Sequence, residues 1–222
     1  MSVADSVSDA LEGAHNLVCL GATQTGKTSF ARELHATTPR LSIWVNERGK
    51  HRVPDVEGTV ARDLDDVRAA LANDDLRVEY LPADRNEAIV ELQDWLWSVA
   101  DRADRQLPMQ VIVDEVDRLA PQSQKQYGNL PPRDAIRDFT SEGVKRGIKF
   151  CGITQDPASY DKRALRQSRY RAIWQMSAEQ RSAVSDYGFD FRRVDDAPAY
   201  AGILHHMSGQ VLGPVKAEAR YA

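Results

Sequence analysis

The segment Gly21-Ala22-Thr23-Gln24-Thr25-Gly26-Lys27-Thr28 sets glycines, hydroxyls and one lysine at a spacing suited to gripping a chain of phosphates. Glycines let a loop curl until successive backbone N–H groups converge on one anion. The apolar run Asn16–Leu20 precedes it and an amphipathic stretch from Lys27 to His35 follows, so a strand and a helix flank the loop. The positive end of such a helix faces the phosphates. Lys27 then brings a mobile charge to the β- and γ-phosphates, and the Thr28 hydroxyl is placed to ligate Mg²⁺. The octapeptide fits the Walker A pattern in full, which makes Gly21, Ala22, Thr23, Gln24, Thr25, Gly26, Lys27, Thr28 and the adjoining Ser29 the candidate nucleotide site.

A second stretch, MQVIVDEVDRLAP, runs apolar into Asp114-Glu115. Ligands of open α/β sheets collect at the carboxyl ends of buried strands. Asp114 suits the Walker B role of holding the Mg²⁺ shell, and Glu115 is placed to polarise a water for in-line attack on a γ-phosphate. Asp117 and Arg118 read as solvated or capping groups. In the third stretch, IKFCGITQDPAS, an apolar run ends on the amide of Gln155. In P-loop ATPases, which these two motifs resemble, a catalytic carboxylate after the Walker B Asp goes with a sensor strand between the Walker A and Walker B strands. Gln155, able to donate and accept, suits the end of that strand. Cys19 and Cys151 then fall on adjacent strands with no need of a disulfide.

Positioning these groups requires a layered α/β domain. Strands are expected at Asn16–Leu20, Leu41–Val45, Leu76–Leu81, Met109–Val113, Ile148–Thr154 and Arg171–Met176, with helices between them. The clearest helix is Arg85–Ala103, where Ile89, Leu92, Leu96 and Val99 form an apolar stripe. Trp95 and Trp97 cannot share its face, so at least one of them is expected to be partly exposed or in a contact. Strand–helix alternation implies a mostly parallel sheet covered on both faces. YAGILHHMSGQVLG reads as a hairpin about Ser208-Gly209 at a sheet edge. The expected organisation is a single domain over residues 1–222, with a helical lead-in at 1–13 and a hairpin and tail at 199–222.

Composition narrows the class further. The chain has 222 residues, is 42% hydrophobic and 28% charged, and carries a formal charge of −4. That balance excludes a generally basic nucleic-acid-coating protein. The two cysteines lie in apolar runs, as buried thiols do. No run reaches the ~18 apolar residues of a membrane span, and the N-terminus lacks the pattern of a signal peptide. His205 and His206, with no Cys/His cluster beside them, read as solvated hairpin residues, not as metal ligands.

Taken in order, GATQTGKT, VIVDE and SEGVKRGIKFCGITQDP resemble the HerA/FtsK superfamily of DNA-pumping P-loop ATPases, over about residues 14–178. The most telling part is a basic segment, a glycine, an apolar strand and then Thr154-Gln155-x-Pro157. The size of the chain looks most like the genome-packaging ATPases of membrane-containing icosahedral viruses. The resemblance implies a RecA-like fold of the additional-strand catalytic-glutamate type, with ATP and Mg²⁺ as ligands. It further implies ATP hydrolysis driving movement of double-stranded DNA and a homo-oligomeric ring, expected to be a hexamer. Capsid or internal membrane vertex proteins are the implied partners, and the host cytoplasm or the virion is the implied location. The family's arginine finger would fall at Val144, so Arg146, just beyond it, is the candidate trans finger, with Arg163, Arg166 and Arg171 as competitors.

Two stretches are candidates for gripping DNA. Pro121–Asp134 is rich in Gln, Gly and Pro and reads as a loop, with Lys125 positioned for phosphates and Tyr127 for backbone or bases. In DKRALRQSRYR, Arg163, Arg166 and Arg169 share a face if the segment is helical. Two other functions fit the same motifs: a nucleotide-dependent assembly switch that never moves DNA, and a small-molecule P-loop kinase.

Overall fold

The apolar runs pair into one nine-stranded sheet in the computed structural model, which describes residues 15–46, 58–103, 106, 108–122 and 130–217. In chain order the elements are β1 (Leu17–Leu20), α1 (Lys27–Thr37), β2 (Leu41–Val45), β3 (Thr59–Ala61), α2 (Leu64–Ala72), β4 (Arg77–Tyr80) and α3 (Arg85–Arg102). There follow β5 (Met109–Val113), α4 (Val116–Leu119), α5 (Pro131–Ser141), β6 (Ile148–Thr154), α6 (Lys162–Gln167) and β7 (Tyr170–Ile173). The chain continues through α7 (Ala178–Ala183), α8 (Phe191–Asp195), β8 (Gly202–His206) and β9 (Val211–Val215). The strand order is β3-β4-β2-β5-β6-β1-β7-β8-β9. Strands β3 through β7 are parallel, and the final hairpin adds antiparallel to β7.

Alternation along each strand divides the core in two. Leu17 and Cys19 face one side with Phe30, Ala31 and Leu34 of α1. Val18 and Leu20 face the other, where Ile89, Leu92 and Leu96 of α3 and Ile136 and Phe139 of α5 cover the sheet. Each of these large side chains contributes about 1.5–3 kcal/mol by leaving water. The stripe expected on α3 is thus its buried face. Trp95 and Trp97 are both half-buried, lying under the guanidinium groups of Arg68 and Arg146, respectively. Cys19 and Cys151 are buried free thiols on the neighbouring strands β1 and β6.

Four features depart from the sequence reading. Strand β3, three residues long at the sheet edge, went unpredicted and makes the strand before Asp114 the fifth, not the fourth. The end of the expected loop Pro121–Asp134 is helical, because Pro131 and Pro132 occupy the first turn of α5, where a missing N–H costs nothing. Helix α6 stops at Gln167, so Arg169 does not extend an arginine stripe with Arg163 and Arg166. His205 is buried, 1% exposed, against the ring of Phe189, while His206 on the other face lies against Tyr170. The two histidines do point oppositely, but His205 is a core residue and is not solvated.

Candidate nucleotide site

Gly26 lets the loop after β1 turn into α1. Its φ of 104° is one that side chains disfavour, and a β-carbon there would lie 2.6 Å from the Tyr200 carbonyl oxygen. The loop is tied at its start by the Ala22 N–H donating to the Gln175 carbonyl (2.8 Å) and internally by Thr25 Oγ1 donating to the Ala22 carbonyl (2.8 Å). Lys27 opens α1 with its ammonium turned back into the loop. Nζ donates to Ala22 O at 2.5 Å and lies 3.4 Å from Thr25 Oγ1. The residue is 3% exposed, and burial pushes its pKa down to about 8, with the Asp114 carboxylate pulling in the opposite direction. A charge so poorly solvated gains from any anion brought to it.

Asp114 and Glu115 follow β5 directly. The Glu115 N–H donates to Asp114 Oδ1 (2.9 Å), and the guanidinium of Arg85 donates to the Asp114 carbonyl. Glu115 takes left-handed backbone angles (φ 48°, ψ 49°) and pairs through Oε2 with Arg118 at 3.0 Å. Gln155 immediately follows β6, the strand between β5 and β1. Its Oε1 accepts from Thr23 Oγ1 at 2.7 Å and its carbonyl accepts from Gln180 Nε2 at 2.6 Å. Gln180 also accepts from the Ser177 N–H (2.9 Å) in a capping box at the start of α7. The expected sensor amide is therefore bonded both to the phosphate loop and to a capped helix.

Backbone strain gathers at this site. Four non-glycine residues among those described have positive φ, and Gln24, Glu115 and Tyr200 are three of them. Each costs of order 1–3 kcal/mol, and such residues concentrate where function fixes the geometry.

Sequence reasoning missed some neighbours and misplaced others. Asp117 is not a solvated group: burial raises its carboxyl pKa and Thr154 hydrogen-bonds it, next to Gln155. Gln180 and Tyr200 reach the site through the fold alone, without a local motif. Arg146 sits at the amino end of β6, with Nε 3.0 Å from Asp101 and its guanidinium 4.9 Å from the Trp97 ring centroid. The Arg171 guanidinium is buried and donates to the Leu165 (3.3 Å) and Arg166 (3.2 Å) carbonyls, a structural role. Arg163 and Arg166 are exposed on α6. Lys125, Tyr127 and the helical lead-in at 1–13 lie outside the described residues. No group of three or more His, Cys, Asp or Glu side chains among the described residues could hold a metal by itself.

The parallel sheet, the loop between β1 and α1, and the inserted β6 define the P-loop NTPase fold. Among solved structures, the DNA-packaging ATPase B204 from Sulfolobus turreted icosahedral virus superposes with a TM-score of 0.69 at 14% identity, covering 93% of this chain and 99% of that one. The genome-packaging NTPase B204 of Sulfolobus turreted icosahedral virus 2, in complex with ATP-gammaS, gives 0.67 at 13% identity over 92% and 98%. ATPases 2 and 3 of EssC from Geobacillus thermodenitrificans give 0.52 at 13% identity, covering 93% of this chain and 39% of that one. The fold named by the sequence resemblance is the one observed. No family model and no curated protein matches the chain. Among the described residues no helix is long and apolar enough to cross a membrane.

Proposed function

We propose that this chain hydrolyses ATP to move double-stranded DNA, packaging a viral genome into a preformed capsid. The observation that carries the hydrolytic part is the Thr23–Gln155 hydrogen bond, made where β6 separates the loop strand from the Glu115 strand. That arrangement favours attack by water over transfer to a small-molecule acceptor, because a carboxylate and an amide then border the phosphate loop together. The DNA part is supported by the ordered motifs and by the likeness in fold to B204.

In this reading the backbone N–H groups of Gly21–Thr28 cradle the phosphates. Lys27 exchanges its bond to Ala22 for the β- and γ-phosphates, and Ser29 flanks the α-phosphate. Thr28 and Asp114 would hold Mg²⁺, which would supply neutralisation of charge on the phosphates. Glu115 leaves Arg118 to orient the attacking water and take its proton, and Gln155 holds that water or the γ-phosphate while bonded to Thr23. Arg146 could act on a neighbouring subunit's site only by giving up Asp101 and Trp97. Lys125 and Tyr127 would meet DNA without reading its sequence, making binding strongly salt-dependent. A homo-oligomeric ring, a hexamer, completes the motor, with capsid or membrane-vertex proteins as partners in the host cytoplasm or virion.

The test is ATP turnover with and without long duplex DNA. Stimulation by duplex is expected, together with loss of turnover in Lys27→Ala and a selective loss of stimulation in Lys125→Ala. Turnover indifferent to DNA would favour an assembly switch, and phosphoryl transfer to a nucleoside would favour a kinase.

A further inference from the structure

The strand order fixes the direction in which a bound polyphosphate runs. Glu115 and Gln155 follow β5 and β6, on one side of the loop strand β1, whereas β7, β8 and β9 lie on the other. A terminal phosphate turned toward Glu115 and Gln155 leaves the nucleoside on the β7–β9 flank, past Gly26 and Ser29. A cavity of about 450 Å³ opens on that flank, lined by Gln24, Gly26, Ser29, Tyr200, Lys216 and Ala217. That volume falls within the range of small-ligand sites.

Tyr200 stands out among these residues. It is 60% exposed, one of only three large hydrophobic side chains so exposed among the described residues. Its backbone nevertheless holds a disfavoured φ of 62°. The surroundings keep it there. The Tyr200 carbonyl accepts from Trp174 Nε1 (3.2 Å) and abuts Gly26, where no β-carbon intervenes. A strained backbone anchored to the phosphate loop, with an exposed aromatic residue lining a cavity, is an arrangement suited to a flat ligand.

We propose that this cavity is the nucleoside pocket and that Tyr200 packs its ring on a purine base, so that the C-terminal hairpin supplies the base-binding half of the site. The proposal rests on the nucleotide reading of the Gly21–Thr28 loop and adds the group that distinguishes a nucleotide from a bare polyphosphate. Lys216, just past β9, adds a cation to the same wall.

The experiment compares ATP and inorganic tripolyphosphate binding to the wild-type chain, Tyr200→Ala, Tyr200→Phe and Tyr200→Gly by titration calorimetry. Glycine accommodates φ 62° without strain, so Tyr200→Gly removes the ring without burdening the fold. Loss of the ring should weaken ATP about tenfold or more, as removal of base-stacking aromatics does. Tripolyphosphate affinity should stay within about twofold in the same variants, and Tyr200→Phe should bind ATP as the wild type does. Equal losses for both ligands, or no loss for ATP, would overturn the base pocket while leaving the phosphate loop intact. Failure of the wild-type chain to bind either ligand would instead overturn the nucleotide reading, and the pocket with it.

Discussion

Thr23 Oγ1 donates to Gln155 Oε1 at 2.7 Å, joining two residues 132 positions apart in the chain. Strand β6 delivers the amide and the loop after β1 delivers the hydroxyl. Gln155→Ala should lower kcat by about 10²-fold while ATP affinity changes only a few-fold, as loss of one preorganised polar group at a reacting centre does. Thr23→Val should act in the same direction, and the double variant should show less than the sum of the two effects. Additive losses in turnover would mean that the bond does not act as a unit.

Glu115 is held in a strained backbone by its place between β5 and α4. Glu115→Gln keeps the side-chain shape and removes the base, so ATP should still bind while hydrolysis falls by about 10²–10⁴-fold. Single-turnover kinetics with labelled ATP checks this, and unchanged turnover would move the base elsewhere.

Lys27 titrates near pH 8 because it is buried. Phosphates arriving beside it favour the charged form and raise its pKa in the complex. Binding above pH 8 must therefore take up a proton, and ATP affinity should weaken by up to about tenfold per pH unit there. Calorimetry at pH 9 in buffers of different ionisation enthalpy should record uptake approaching one proton, against nearly none at pH 6.5. Equal heats in all buffers at pH 9 would contradict the assignment.

His35 reports on stability. It lies on the buried face of α1, 1% exposed, with Nδ1 2.7 Å from Ser42 Oγ, and burial, with the nearby Arg77, depresses its pKa to about 3. The unfolded chain takes up this proton near pH 6.5 and the folded chain does not, so stability present above pH 6.5 drains away as pH falls toward 3. The loss should approach roughly 1.4 kcal/mol per pH unit below about pH 6. Urea unfolding between pH 5 and 8 should show this slope flattened in His35→Gln; parallel slopes would assign the acid sensitivity to other groups.

Much of this architecture could be read from short-range pattern. Strands β2, β5 and β6 were placed with the observed limits because unbroken apolar runs mark buried parallel strands. The position of β6 between β5 and β1 came from the resemblance to P-loop ATPases, not from local pattern. What escaped was either too short or too distant in sequence. Thr59–Ala61 gives three residues of pattern, too few to register. Asp117 looks like any residue in a polar turn until Thr154, on a separate strand, is folded against it. Tyr200 enters the site only because Trp174 and Gly26 fix its backbone, a relationship among three distant segments. His205 misled because alternation shows which face a residue takes without showing what covers that face.

Trp174 leaves little slack between the phosphate loop and the end of the chain. A β-carbon on Gly21 would come within 2.7 Å of the Trp174 side chain, and one on Gly202 within 2.7 Å of its indole ring. The Trp174 side chain thus meets the first residue of the loop at its β-carbon and the first residue of β8 at its indole. Glycine at both positions is what lets the loop and the hairpin close on the same side chain. A methyl group at either glycine would wedge the loop or the hairpin away from Trp174, so this one side chain sets how closely the two can approach.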